Sequence, residues 1–330
     1  MGLSAAHALA REGRDVLVLE QFRLGHTRGS SHGASRIFRL AHREPEWVEL
    51  ARQSLEGWRE LEAEAEEALL ELDGLVELLL PGDTGSREAL EACGVAWEQL
   101  APADVERRFG FRVPEGFEAM FQPVAGITYA DRATAAFLTG AVARGARIEQ
   151  DVKALSLGEG RLETSAGSVE ADFVVVTAGA WARGLLATAG IDLPVTETIQ
   201  TVAYFRMDRD GPQPAVVDWD PEGKRHAMYS LRDPTLGLKA GAHGYGPPTD
   251  PEEQGAPDEA TLATIVEWVR QRYPRADPEP ARAETCVYTS TADDTFVLER
   301  HGNVVVGSAC SGHGFKFAPE VGRRLAELAR

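Results

Sequence analysis

Met1-Gly-Leu-Ser-Ala-Ala-His-Ala-Leu-Ala-Arg-Glu-Gly13, followed by Arg14-Asp-Val-Leu-Val-Leu-Glu20, is the stretch whose reading decides the fold. Residues 1–13 carry small apolar residues at helical spacing and stop at a glycine. Residues 15–20 make a short apolar strand with an acid at its end. A small-faced helix running into such a strand is the second half of a dinucleotide-binding unit. There a third fingerprint glycine lets helix and strand pack closely, and the acid binds ribose hydroxyls. Gly2 and Glu20 stand at those two places. The opening strand and the first two glycines would precede Met1, and taken alone the half-motif is equally an ordinary helix–turn–strand unit.

Working outward, residues 21–35 read as a loop rich in Gly, Ser and His, and residues 44–72 as a helix with a charged, solvated face. Residues 73–130 are less regular, with a strand at 74–80 and a short helix before Cys93. A helix is expected at 131–145 and strands at 147–157 and 161–164. The run Phe173-Val-Val-Val-Thr-Ala-Gly-Ala-Trp181 reads as a strand covered on both faces that breaks into a helix. Alternation at 201–207, 227–231 and 237–242 predicts an antiparallel sheet, with one helix at 258–272. Residues 303–317 return to strand, glycine turn and helix. The expected class is α/β plus α+β. A discontinuous Rossmann-like domain (1–72, 124–195 and 293–330) is interleaved with an antiparallel-sheet substrate domain (73–123 and 196–292).

The chain has 330 residues, with 34 Lys and Arg against 52 Asp and Glu, a net charge of −18. Such a chain repels phosphate backbones and anionic membrane surfaces, so neither nucleic acid nor membrane is an expected partner. No signal peptide and no run of about 20 apolar residues is present. Cys93, Cys286 and Cys310 are too few for a disulfide scaffold, and no spacing suggests a metal site. The expected location is the cytoplasm. Only four residues are lysines: Lys153, Lys224, Lys239 and Lys316.

Three later segments bear on function: Gly29-Ser-Ser-His-Gly-Ala-Ser-Arg-Ile-Phe-Arg39, Cys286-Val-Tyr288 and Ser311-Gly-His-Gly-Phe-Lys-Phe317. With residues 2–20 and Thr177-Ala-Gly-Ala-Trp181 they resemble, in order and over nearly the whole chain, the monomeric sarcosine oxidase and N-methyltryptophan oxidase family of D-amino-acid-oxidase-like FAD enzymes. The resemblance implies an FAD-dependent oxidase of secondary (N-methyl) amino acids, a monomer that oxidises the C–N bond and reduces O2 to H2O2. Its small substrate carries a free carboxylate. The resemblance makes Cys286 the covalent flavin attachment, a role suited to a thiol nucleophile. Arg39 and Lys316 become the carboxylate pair, one gripping with two parallel bonds and the other supplying a point charge. Lys239 becomes the cation over the flavin that promotes O2 reduction.

By the same resemblance, His243 and Tyr229 line the substrate pocket, and His32 and Arg36 lie beside the flavin. Ser35 takes the place of a threonine, Val152 packs on adenine, and Ala178, Gly179 and Trp181 pass close to the cofactor. Tyr288, Gly312, Gly314 and Phe315 border the flavin. Cys93, Cys310, His26, His42, His226 and His301 read as structural or exposed. The family's first strand and its last segment lie outside this sequence. The expectation for this chain, read as starting at an internal methionine, is therefore poor folding and weak FAD retention. A dehydrogenase that passes electrons to a carrier, an inactive truncated flavoprotein and a plain NAD-dependent enzyme are the competing readings. The last would leave Cys286 and the Ser311–Phe317 run without a task.

Overall fold

The computed structural model describes residues 1–208, 211–220, 223–253 and 255–330, and side chains outside 220–226 within these. Helix Gly2–Arg11 buries Ala5, Ala6 and Ala10 against helices Ala130–Ala143 and Ala318–Leu328. Its approach to the last helix is close: a Cβ on Gly322 would stand 2.2 Å from Ser4 Oγ. Strand Leu17–Leu19 pairs in parallel with Arg147–Glu149, and Val174–Val176 pairs in parallel with Val304–Ser308.

Helix Pro45–Ala65 is shorter than the pattern at 44–72 suggests. Pro45 suits its first turn. Glu66, at φ 51°, ends it in a left-handed cap, and Leu70–Glu71 joins a small sheet with Ser35–Phe38 and Gly126–Tyr129. The single strand expected at 147–157 is also two. Arg147–Glu149 and Ala154–Gly158 belong to different sheets, divided by Asp151 at φ 60°.

The largest sheet has eight strands, in the order Arg282–Ser290, Thr196–Arg206, Gly237–His243, Gly223–Asp233, Ala215–Asp220, Leu75–Leu79, Glu118–Gln122 and Glu98–Leu100. It is mixed rather than antiparallel, because Ala215–Asp220 runs parallel to Leu75–Leu79. The long stretch between residues 79 and 215 allows the crossover that a parallel pair needs.

Alternation along these strands separates two faces. Phe205, Leu238, Ala240, Val216 and Val76 share a core with Ile265, Trp268 and Val269 of helix Glu259–Arg272. The opposite face is set by register: Tyr204 is opposite Lys239, Lys239 opposite Leu231, and Gly241 opposite both Val202 and Tyr229. Val217, Glu284 and Cys286 share this second face, which looks into a cavity. A one-residue slip would exchange the faces and bury Lys239 in the apolar layer.

Candidate active site

The cavity has a volume of about 3200 Å³. Its walls include strand ends Leu17–Leu19 and Val174–Val176, loop 29–36, the second face of the eight-stranded sheet and the turn at 309–316. Every site residue expected from sequence lies on it.

Four cations converge there. Arg36 gives its hydrogen bonds to the Ser35, Ser30 and His32 carbonyls, and Arg39 Nη1 donates to the Ala41 carbonyl at 2.5 Å. Lys316 Nζ donates to the His313 carbonyl at 2.6 Å. Lys239, 5% exposed, has its Nζ 5.5 Å from the centre of the Tyr204 ring. Among the described residues none of the four makes an ion pair with a carboxylate. Burial, reinforced by Arg36, pulls Lys239 down to about 7; Cys286, Glu284 and Asp233 pull the other way. Burial and then Arg39 hold Lys316 well below the usual lysine range. Uncompensated buried cations are costly unless a ligand completes them.

Burial also disfavours the charged forms of several neighbouring groups. Burial and then Arg36 lower His32 to about 4, and its Nε2 is buried without a hydrogen-bond partner. Burial raises the phenols of Tyr229 and Tyr288. The His243 ring lies 5.6 Å from that of Tyr288. Gly241 makes room for Tyr229: a Cβ there would meet the phenol oxygen at 2.5 Å. Gly312, at φ 70°, does the same for Tyr288, which a Cβ would meet at 2.3 Å. Burial pushes the Cys286 thiol up, while Arg36 and Lys239 pull it back.

Another part of the wall is built by the opening helix and strand. Glu20 Oε1 accepts the Phe22 N–H at 2.9 Å, and Val152 N donates to the Glu20 carbonyl at 2.9 Å. Trp181, in the short turn Gly179–Trp181 after Ala178, packs edge-on against Phe22 at 5.5 Å. A Cβ on Gly2 would stand 2.8 Å from Thr177 Oγ1.

Residues 1–328 match the DAO family, described as FAD dependent oxidoreductase. The chain belongs to that family. It is 32% identical to the monomeric sarcosine oxidase of Bacillus sp. (strain B-0618), over all of this chain and 89% of that protein. It is 33% identical to the human peroxisomal sarcosine oxidase, over 99% of this chain and 89% of that one. Among solved structures, NikD, titled an unusual amino acid oxidase essential for nikkomycin biosynthesis, superposes with a TM-score of 0.90. The identity there is 27%, over 99% of this chain and 90% of that chain. L-proline dehydrogenase from P. horikoshii shares the fold, with a TM-score of 0.86 at 23% identity.

The residues present fit FAD. The cavity exceeds a usual small-molecule pocket several-fold. Glu20, Val152, Cys286 and Lys316 all line it, and Gly2, Gly312 and Gly314 let Thr177, Tyr288 and the Ala309 carbonyl pack close at its wall. His32 leaves an unpartnered Nε2 inside it. Phe315 lies beside Arg36, 6.0 Å from ring centre to guanidinium. Ser35 differs from the sequence expectation: it is fully buried and its hydroxyl donates to the Arg232 carbonyl at 2.8 Å, anchoring the loop to the sheet.

Several wall residues carry no sequence signal. His42, read from sequence as structural or exposed, lies buried at the cavity with its Nε2 unpartnered, pulled well below the usual histidine range by burial and then Arg39 and Lys316. Tyr204, Glu284 and Trp219 reach the site only through strand register, as does Gly241 beneath Tyr229. His226 lies outside the described side chains. No helix among the described residues is long and apolar enough to cross a membrane.

Proposed function

We propose that the chain is an FAD-dependent oxidase of N-methyl or other secondary amino acids, of the sarcosine oxidase type, with O2 as electron acceptor. The supporting observation is the set of four cations on one cavity, Arg36 and Arg39 half-buried and Lys239 and Lys316 buried, none ion-paired to a carboxylate among the described residues. An anionic substrate carboxylate completes Arg39 and Lys316, the pair nearest the turn at 309–316. FAD, when bound, would accept a hydride equivalent from a C–H bond beside the amine nitrogen, leaving a C=N bond as the N–H proton departs, and O2 would take up the two electrons and two protons as H2O2. Lys239 contributes a fixed positive charge where negative charge develops. Tyr229 and His243 contact the bound amine and exclude water above it. The imine product then hydrolyses.

We further assign the covalent flavin link to Cys286, whose thiol faces the cavity between the Arg36 and Lys239 charges. The remaining flavin and adenine contacts follow the positions of His32, Gly312, Gly314, Glu20 and Val152. The domain division given above is supported by the eight-stranded sheet, which draws only on residues 75–122 and 196–290. A monomer in the reducing cytoplasm suits three free thiols.

Purified protein supplied with sarcosine and a panel of N-methyl amino acids should give one H2O2 per amine oxidised. Turnover that needs an artificial carrier and yields no peroxide overturns the oxidase reading. Colour retained in an acid precipitate, with a flavin-bearing peptide containing residue 286, tests the covalent link, and Cys286→Ser should abolish both.

A further inference from the structure

We infer that Trp219 is the side wall of the substrate pocket, limiting the substrate to secondary amino acids with a hydrogen or methyl on the α-carbon, and that Glu77 is the residue that holds this wall in place. The inference rests on the reading of Arg39 as the carboxylate ligand. Trp219 borders the cavity, with its ring centre 5.8 Å from the Arg39 guanidinium carbon. A carboxylate gripped by Arg39 sits about 2.8 Å from the guanidinium nitrogens. The atom bonded to that carboxylate, the α-carbon, is then within reach of the indole, and its substituent meets the ring first.

The wall is held from behind. Trp219 Nε1 donates to Glu77 Oε1 at 2.6 Å, and Glu77 is fully buried. Glu77 Oε2 accepts the Ser86 N–H at 3.3 Å. Arg43, which also lines the cavity with its guanidinium carbon 5.7 Å from the ring centre, is gripped by Asp83 through two bonds of 2.9 Å. Glu77 also offsets the charges of Arg39 and Arg43. Swinging the indole aside would leave the buried Glu77 Oε1 without its donor, which costs more than the bond itself is worth. A ring so fixed excludes bulk instead of yielding to it.

Simple carboxylates test the wall without turnover. Titrated into the wild-type holoenzyme and followed by calorimetry or the flavin absorbance change, acetate and propionate should bind at least ten-fold more tightly than cyclohexanecarboxylate, although the larger acid is more hydrophobic. Trp219→Ala should reverse that order. It should also raise kcat/KM for N-methylvaline relative to sarcosine by ten-fold or more, mainly through KM. Glu77→Leu should broaden selectivity in the same direction, and Glu77→Gln, which keeps the acceptor oxygen, should restore it. Wild-type enzyme that binds cyclohexanecarboxylate as tightly as acetate overturns the inference whether or not the variants fold, as does an unchanged order in Trp219→Ala. Acetate binding that survives Arg39→Ala overturns the carboxylate reading instead. Acetate lost in Arg39→Ala alongside an unaltered size preference in Trp219→Ala overturns the wall alone.

Discussion

Lys239 and Tyr204 face each other in direct register on adjacent antiparallel strands, with the ammonium 5.5 Å from the centre of the phenol ring. The pair sits on the cavity face of the sheet, and the lysine keeps no carboxylate partner among the described residues. Arg36 approaches from strand Ser35–Phe38, Glu284 and Cys286 from Arg282–Ser290, Asp233 from Gly223–Asp233, Asp131 from helix Ala130–Ala143 and His32 from the loop before residue 35.

That arrangement has a pH signature. Lys239 falls from its ordinary 10.5 to about 7 in the folded, flavin-free protein. Between those values the unfolded chain binds the extra proton, so stability rises with pH across the window; below about 7 both states are charged and the burial cost is felt in full. Lys239→Met should therefore raise the unfolding free energy of flavin-free protein most at about pH 6, by a few kcal/mol, because each tenfold change in proton affinity is worth about 1.4 kcal/mol. The gain should fade toward pH 10.5. Urea titrations that show the same offset at all pH values would contradict the assignment.

Arg39 and Lys316 should not be interchangeable. Arg39→Ala is expected to lower kcat/KM for sarcosine by about 100-fold, the loss of a charged, two-bonded contact. Arg39→Lys should recover little, because an ammonium cannot supply two parallel donors. Steady-state kinetics in which Arg39→Lys matches wild type would count against the grip.

Gly312 and Gly190 share φ 70°, but only Gly312 has neighbours, with Tyr288 at 2.3 Å and His243 at 2.7 Å from a built Cβ. Both alanine variants should lose about 1–2 kcal/mol from the left-handed backbone. Gly312→Ala alone should also lose flavin content and turnover, since the aromatic pair must move. Chemical denaturation with parallel absorbance spectra separates the two effects, and equal behaviour would refute the steric account.

Trp58, with no exposure, donates Nε1 to the Lys316 carbonyl at 2.8 Å. Trp58→Phe leaves that buried carbonyl without its donor, a cost of about 1–3 kcal/mol. Because the same turn carries the Lys316 ammonium, KM for sarcosine should rise as well. A stability loss with KM unchanged would show that the turn is held by packing with Phe315 and Phe317 alone.

The legible parts of this site are those in contiguous runs. Gly2 with Glu20, Arg36 with Arg39, Cys286 with Tyr288, and Ser311–Phe317 each carry their message in local spacing. Trp219, Glu77, Tyr204 and Gly241 do not, because each matters through a cross-strand neighbour many residues away. The mixed sheet is hidden for a similar reason: alternation predicts a strand but says nothing of its direction relative to a distant partner. The breaks at Glu66 and Asp151 depend on left-handed backbone that neither residue type demands.

The sequence by itself determined that this chain builds a nucleotide-type α/β unit with an inserted sheet and that it belongs among amino-acid-oxidising flavoproteins, and its motifs single out the basic residues proposed to carry the chemistry. Those properties reside in local periodicity and short motifs. The tertiary structure alone decided that Arg36, Arg39, Lys239 and Lys316 share one cavity without carboxylate partners, and that Glu77 fixes an indole beside Arg39. The register of eight strands and the packing of helix Pro45–Ala65 against the 309–316 turn sum over contacts distant in the chain. Side-chain charge and its compensation are properties of that assembled space, not of any one segment.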